Sequence, residues 1–480
     1  MDMARILGGY IGTKFDDFTI LPGLPDDDNL VPDSVDTSCD IAGVHLRVPF
    51  FTAAMRSITG IKIARAAGNF GAMAVAPRSL STEEEVEIVS HVKKHKEKVG
   101  EIESETKPIT VFQDETLGEA RAKAKKYGHT NIPVITRQAE LVGMFSYRQM
   151  EHDRLSPGTP ITKTMVPLRT ETRYSFPIAT ETMKDEEIKD FLREGNYRFA
   201  PVIDSAGRLS RLVFLQMEDA YKVGAAIDTH DGWEDRCCAL VNAGADMIFI
   251  DTSDAHKSFS RNVVMKYKKM FPNGPPICAG NIVTPEGFLY LAEALADVIK
   301  IGMGPGSICL TNEVISAGAP SFSAVVRVCR QRDKYHKEKG RYVPLIADGG
   351  IQSTHDIPVA LTHSDGVMMG KMMGWFDESV GRKVFDGDRV VGVEIFGEAS
   401  PEAYEKVGDM HRYTEGDNGV AVFQGRSMVL PYKGLFKPGA EIYKQVLQEQ
   451  LYHSGCRNLE QFREMAVLER NVLKQNEIKG

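Results

Sequence analysis

One recurring phrase in the second half of the chain restricts its fold more than any other feature. From about residue 246, a short apolar run closes on a polar residue or a glycine, a helix-like stretch follows, and the pattern begins again. The runs are Asp246-Met-Ile-Phe-Ile-Asp251, Pro276-Ile-Cys-Ala-Gly-Asn281, Val298-Ile-Lys-Ile-Gly302, Pro344-Leu-Ile-Ala-Asp348 and Gly366-Val-Met-Met-Gly370. Apolar runs that alternate with helices predict a parallel sheet covered on both faces, because each crossover lays a helix over the strands it joins. Such an α/β chain can close into a (β/α)8 barrel, the TIM barrel, whose chemistry sits at the C-terminal strand ends. Asp251, Asn281, Gly302, Asp348 and Gly370 fall there. A doubly wound sheet is the alternative. It is weakened because no Gly-x-Gly-x-x-Gly opens a helix after a first strand.

Fewer than eight such runs lie after residue 220, so a barrel must draw its first strands from the N-terminal region. Val48-Pro-Phe-Phe-Thr-Ala-Ala54 and Ala72-Met-Ala-Val-Ala76 supply two. Between them and the later runs, residues 101–220 differ in character and contain two similar units, Gly128-His-Thr-Asn-Ile-Pro133-Val-Ile135 and Gly195-Asn-Tyr-Arg-Phe-Ala-Pro201-Val-Ile-Asp204. Each follows an amphipathic helix, Thr116–Tyr127 or Asp185–Arg193, and precedes a further strand, Leu141–Phe145 or Leu212–Leu215. The pair resembles a tandem CBS (Bateman) domain, a type that often binds adenine or guanine nucleotides between its units; a structural insert without ligand is the competing reading. The implied organisation is a barrel built from 1–100 and 221–480 around an insert at 101–220. With 480 residues the chain exceeds one average domain.

Composition narrows the function classes. Hydrophobic residues make up 42% and charged residues 26% of the chain, ordinary values for a globular protein with a sizeable core. A net charge of -8 and a pI near 5.9 argue against general nucleic-acid binding, so phosphate recognition is expected from backbone amides and a few basic side chains. No apolar run approaches the roughly 20 residues of a membrane span, and no leader pattern precedes the first runs. The seven cysteines are scattered without Cys-x-x-Cys spacing, which points to reduced thiols and a cytoplasmic setting.

The loop Gly302-Met-Gly304-Pro-Gly306-Ser307-Ile-Cys309 carries the chemistry. Its glycines let the backbone turn sharply and bring amides close to a ligand, and Ser307 can donate to a phosphate. Cys309 at an exposed strand end can act as a nucleophile if its thiolate is stabilised; a buried packing cysteine is the competing reading.

This loop resembles the catalytic loop of the IMP dehydrogenase/GMP reductase family, and other family landmarks follow in order along nearly the whole chain. Phe15-Asp-Asp-Phe-Thr-Ile-Leu-Pro22 resembles the N-terminal signature and Ala53-Ala54-Met55 the substrate-flanking strand end. Ala279-Gly-Asn281 resembles the strand before the loop, Ala347-Asp348-Gly349-Gly350-Ile351 the ribose and phosphate turn, and Met369-Gly370-Lys371 a second phosphate turn. The resemblance implies that Cys309 adds to C2 of a hypoxanthine ring and that the adduct gives up hydride to NAD. It further implies that Asp348 holds the ribose, with a helix-capping aspartate as the bland alternative. Ser307, the amides near Gly350 and Gly370, and Lys371 are implied to hold the phosphate. Asp251, Thr252, Ser253, Asn281, Gly302 and Gly304 would approach the dinucleotide. The carbonyls of Gly304, Gly306 and Cys309 would bind potassium, and barrels of this family assemble as homotetramers that nucleotides can join into octamers.

Within the family, the flap separates hydrolysis from reduction. Dehydrogenases carry an Arg-Tyr pair about a dozen residues before a Gln-Gly or Glu-Gly, then Pro-Tyr-Lys-Gly; Arg412-Tyr413, Gln424-Gly425 and Pro431-Tyr-Lys-Gly434 match. Arg412 is implied as the base for water, assisted by Tyr413, and Thr311 as a water activator or proton relay. In the reductases that threonine pairs with a glutamate where this chain has Gln424, and an amide does not ionise as a carboxylate does. The expected reaction is therefore NAD-dependent oxidation of IMP to XMP. Departures from the pattern keep a GMP reductase as the alternative. Ile395-Phe-Gly-Glu398-Ala-Ser400 puts Glu398 where a base-facing methionine is usual, although some divergent dehydrogenases read Trp-Gly-Glu-Gly-Ser there. Leu310, Arg56 and Pro77-Arg78 also depart. A silent nucleotide sensor is a third reading, opposed by the joint presence of Cys309, Thr311, Arg412 and Tyr413, none of which a sensor needs.

Overall fold

A computed structural model describes residues 12–23, 30–94, 102–127, 131–146, 156–168, 176–194, 199–215, 221–304, 306, 308–403 and 423–471. The chain forms two compact units, one from residues 1–95 and 221–480 and one from 96–220.

The first unit is built on eight parallel strands: β1 (Phe50–Thr52), β2 (Ala74–Ala76), β3 (Val223–Ile227), β4 (Met247–Asp251), β5 (Ile277–Ile282), β6 (Val298–Ile301), β7 (Leu345–Asp348) and β8 (Gly366–Met369). They pair in the order β1-β8-β7-β6-β5-β4-β3-β2. A parallel bridge between Phe51 and Met73, with Thr52 N donating to Met73 O at 3.0 Å, closes the first strand onto the second. Helices such as α1 (Ile61–Phe70), α2 (Thr82–Lys94) and α3 (Trp233–Asn242) cover the outside. The sheet is the (β/α)8 barrel that the sequence pattern predicts.

Seven of the eight strands coincide with runs read from the sequence; the eighth, β3, does not. Val223-Gly-Ala-Ala-Ile227 is dominated by small residues with weak strand preference, so no apolar run announces it. Packing requires the glycine, because a Cβ on Gly224 would lie 2.5 Å from the Phe249 ring.

Side-chain alternation divides the core. Phe51, Val75, Ala226, Met247, Phe249, Cys278, Val298, Ile346 and Met368 point into the barrel, while their strand neighbours, such as Ile248, Ile250, Ile299 and Leu345, pack against the helices. A hairpin, Cys39–Ile41 with Val44–Leu46, adds Ile41, Val44 and Leu46 to the interior cluster. Among the described residues no helix is long and apolar enough to cross a membrane.

The second unit repeats one plan twice. In the first half, strand Val111–Phe112 runs parallel to Asn131–Ile135, which turns back antiparallel along Leu141–Ser146. In the second, Ala179–Thr180 runs parallel to Phe199–Ile203, which turns back along Leu209–Leu215. Helices Leu117–Tyr127 and Asp185–Glu194 join the paired strands. Each half buries its own small core, and Leu141 N donating to Gly207 O at 3.0 Å ties the two sheets together.

Candidate active site

The C-terminal ends of the barrel strands surround a cavity of about 220 Å³. The sequence-predicted residues meet there: Ala54 and Met55 after β1, Asp251, Thr252 and Ser253 at β4, and Asn281 on β5. Gly302, Gly304, Gly306, Cys309 and Thr311 follow β6, Asp348, Gly349 and Gly350 end β7, and Gly370 and Lys371 follow β8. Glu398 and Gln424 complete the wall from outside the barrel sequence. Ser307, Arg412 and Tyr413 lie outside the described residues.

The loop after β6 takes its shape from backbone freedom and close packing. Gly302 and Gly304 adopt φ of 145° and 85°, a region that disfavours side chains, and a Cβ on Gly302 would collide with the Asp348 carbonyl oxygen. Cys309 Sγ then stands 3.1 Å from Thr311 Oγ1 at the cavity wall. Four other cysteines, Cys237, Cys278, Cys329 and Cys456, are buried. Burial pushes their thiols up, to about 12 for Cys237 and Cys329, which makes them inert packing residues. Cys309 is only half-buried and has a hydroxyl beside it.

A second chain segment clamps this loop. Leu310 N donates to Gln424 O at 2.7 Å, Arg426 N donates to Ile308 O at 3.1 Å, and Cys309 pairs with Gly425 as an isolated antiparallel bridge. The same segment is held from behind: Gln424 N donates to Ala399 O at 3.1 Å and Gly397 N to Arg426 O at 3.2 Å. The ladder is tight at both rungs, against a side chain at one and against main chain at the other. A Cβ on Gly397 would meet Ile308 Cγ2 at 2.7 Å, and one on Gly425 would meet Ser400 N at 2.9 Å. Strands Arg389–Phe396 and Ser427–Pro431 extend it as an antiparallel pair beyond the barrel. Glu398 is anchored across the cavity, its Oε1 accepting from Arg56 N at 2.5 Å, and Ser57 Oγ donates to Phe396 O at 2.6 Å. Glu398 thus meets the main chain at position 56, while the Arg56 guanidinium donates to Ser79 O at 3.1 Å.

The turn after β7 presents two successive left-handed glycines, Gly349 (φ 85°) and Gly350 (φ 83°). Successive turn amides of this kind form an anion-binding concavity. Asp356 braces the turn from below, accepting from Gln352 N and Ser353 N at 2.8 Å each.

Sequence reasoning missed the buried charge of the cavity, Lys300 on β6. Its Nζ donates to Asp348 Oδ2 at 2.5 Å, contacts Asn281 Oδ1, and lies 3.4 Å from Asp251 Oδ1, at 2% exposure. Burial disfavours its charge, but Asp348 and Asp251 more than offset this and hold the ammonium pKa above the ordinary lysine value. A signal was present: Val298 and Lys300 share strand parity, so a lysine that follows an inward valine by two must also point inward.

Comparison with known proteins adds a family. Residues 12–475 match the family model for the IMP dehydrogenase / GMP reductase domain. An inosine-5'-monophosphate dehydrogenase of Tritrichomonas foetus is 29% identical over 479 residues, covering 94% of this chain and 92% of that protein. One from Mycobacterium tuberculosis is 31% identical over 395 residues, 78% of this chain and 70% of that protein. Among solved structures, a GMP reductase of Trypanosoma brucei in complex with guanosine 5'-monophosphate superposes with a TM-score of 0.66 at 24% identity, covering 98% of each chain, a likeness of fold.

Proposed function

Because this chain belongs to the IMP dehydrogenase / GMP reductase family, a family of oxidoreductases, we propose that it oxidises IMP to XMP with NAD. One observation carries the choice within the family. The residue on the cavity wall beside the Cys309–Thr311 pair is Gln424, an amide, where the reductases carry a glutamate. An amide does not take up and release a proton as a carboxylate does.

In this reading Cys309 Sγ forms a bond to C2 of the hypoxanthine ring, and the C2 hydrogen departs with its electron pair. NAD, when bound, supplies the acceptor for that hydride. Water then adds to C2, the bond from sulfur to carbon breaks, and the thiol is restored as XMP leaves; the cycle consumes one water and releases one proton. The Thr311 hydroxyl, 3.1 Å from Sγ, relays the proton and orients the water. Arg412 is assigned the role of base, with Tyr413 beside it. Asp348 accepts from the ribose hydroxyls, and the amides at Gly349, Gly350 and Gly370 hold the phosphate together with Ser307 and Lys371. Asp251, Thr252 and Ser253 offer a carboxylate and two hydroxyls on the cavity wall, a donor and acceptor set suited to the hydroxyls of a dinucleotide. The carbonyls of Gly304, Gly306 and Cys309 would supply uncharged oxygens, which suit a monovalent cation such as potassium. The proposal extends to a purine nucleotide bound between the two repeats of the insert and to a homotetramer of barrels.

Glu398 supports the reductase as a second reading. A carboxylate on the cavity wall can accept from both N1–H and the 2-amino group of guanine, whereas hypoxanthine offers N1–H alone. One experiment separates the two. The purified full chain is supplied with IMP, NAD and potassium and followed for NADH, and separately with GMP and NADPH. Turnover with the first mixture is expected, and Cys309→Ala abolishes it. Turnover with the second mixture alone overturns the dehydrogenase reading, and turnover that survives Cys309→Ala overturns covalent catalysis.

A further inference from the structure

Four consecutive barrel strands each place one polar side chain on the cavity floor, where they meet: Asp251 on β4, Asn281 on β5, Lys300 on β6 and Asp348 on β7. The register aligns Asp251 with Gly280 and Gly280 with Lys300. Gly280 leaves the space that the lysine uses, since a Cβ there would lie 2.5 Å from Lys300 Cβ. A register shift between Gly280 and Ile282 then turns Asn281 inward as well, so its Nδ2 donates to Asp348 Oδ2 at 3.0 Å and to Gly302 O at 2.6 Å.

An ammonium has three donor hydrogens. Three protein oxygens face Lys300 Nζ: Asp348 Oδ2, Asn281 Oδ1 and Asp251 Oδ1. The donors are therefore spent within the protein, and Lys300 acts on a ligand only through these partners. The charged groups around it are the two carboxylates; the neighbouring Cys278 thiol is fully buried, and burial raises its pKa far enough to keep it neutral. A floor that served packing alone could be apolar, like the layer beneath formed by Phe249, Cys278, Val298 and Ile346, because buried ion pairs gain little over apolar residues of similar volume. Among the described residues, Asp348 Oδ2 takes both Lys300 and Asn281, so Oδ1 is the oxygen the protein leaves unclaimed.

We propose that Lys300 is a positioning residue shared by two nucleotide subsites, a single buried counter-ion that orients Asp348 toward the mononucleotide and Asp251 toward the dinucleotide. Because one charge serves both carboxylates, a change at either is felt at the other. The inference rests on the family reading of Asp348 and Asp251, and it holds for either reaction of the family.

Titration calorimetry on the full chain tests it, with IMP and GMP as mononucleotides and NAD and NADPH as dinucleotides, each measured alone. Lys300→Met is expected to weaken both classes by about tenfold or more, the scale of a lost hydrogen bond to a charged group. Asp251→Asn keeps the side-chain shape and the ammonium, and it is expected to shift mononucleotide affinity by about threefold or more although it belongs to the other subsite. Loss of one class alone in Lys300→Met, or mononucleotide affinity unchanged in Asp251→Asn, overturns the shared counter-ion. If Lys300→Met does not fold, the Asp251→Asn result decides. A wild-type chain that takes GMP and NADPH but not IMP and NAD overturns the dehydrogenase reading and still reports on Lys300 through the same variants.

Discussion

Replacing Gly425 by alanine tests whether the backbone ladder beneath Cys309 keeps the thiol in place. An added Cβ would lie 2.9 Å from Ser400 N and 3.0 Å from Ala399 C, both main-chain atoms of a buried segment, so no rotamer change relieves the contact. The two segments must separate, which breaks the bonds from Gln424 N to Ala399 O and from Gly397 N to Arg426 O, and the strand that moves is the one that Leu310 N and Ile308 O of the catalytic loop are bonded to. At about 0.5–1.5 kcal/mol each, losing both costs about 1–3 kcal/mol, or roughly 5- to 150-fold in the fraction of loops held in the competent arrangement. Gly397 supplies the control. Its added Cβ would meet Ile308 Cγ2 at 2.7 Å, the end of a side chain that can turn away. Steady-state turnover and thermal melting of both variants make the assay. Gly425→Ala is expected to lose about tenfold or more in kcat while its melting temperature stays within about 3 °C of the parent, because the opening is local to the ladder and leaves the eight barrel strands paired. Gly397→Ala should lose markedly less. Wild-type turnover in Gly425→Ala, or equal damage in both, refutes the ladder as the support of the thiol.

Two further expectations address hydrolysis and pH. Arg412→Ala should slow hydrolysis more than hydride transfer, giving a burst of NADH followed by stalled XMP release in rapid-mixing experiments; equal loss of both steps counts against Arg412 as base. His363 is held neutral, its pKa pushed down to about 4 by burial and then by the nearby Arg330. Its ring packs edge-on against Phe322, and its Nδ1 lies 2.7 Å from Thr362 Oγ1. The unfolded chain takes up this proton near pH 6.5 and the folded one only near 4. The contribution is therefore complete above about 6.5 and disappears as pH falls to about 4, on the order of 3 kcal/mol in all. Urea midpoints between pH 7.5 and 4.5 (about three points suffice) should fall less steeply for His363→Asn than for the parent; parallel slopes would show that the imidazole does not titrate this way.

The strand ends that build the cavity were legible because each is marked by a change from apolar to polar residues within a short window. Asp251, Asn281, Gly302, Asp348 and Gly370 all emerge from that local signal. What was not legible depends on distant partners. β3 is concealed because Gly224 answers to the Phe249 ring on the next strand and the alanines beside it carry no strong apolar pattern of their own. Glu398 reads as an isolated departure until the main-chain amide of residue 56, 342 positions earlier, is seen to donate to it. The Cys309 loop shows its glycines openly, yet Gly397 and Gly425 acquire their meaning only from the segments they allow to approach. The repeat in the insert was visible at the level of two Pro-Val-Ile phrases. Its parallel strands Val111–Phe112 and Ala179–Thr180, two residues each, are too short to carry a period of their own.

Parity explains why the floor and the chemistry coexist in so few residues. Along β4, β6 and β7 the inward positions read Phe249 then Asp251, Val298 then Lys300, and Ile346 then Asp348, so an apolar layer and a polar layer are separated by one alternation of each strand. The outward partners Ile250, Ile299 and Ala347 remain in the cluster that binds the helices. A one-residue slip of any of these strands would exchange the sets, burying Asp251, Lys300 or Asp348 against the helices and exposing an isoleucine or alanine to the cavity. Each charge would then lose its partners in a low-dielectric layer, a cost of several kcal/mol per ion. The polar floor thus fixes the register of the strands that carry it, and the same register brings Asp348 and Asp251 within reach of one ammonium.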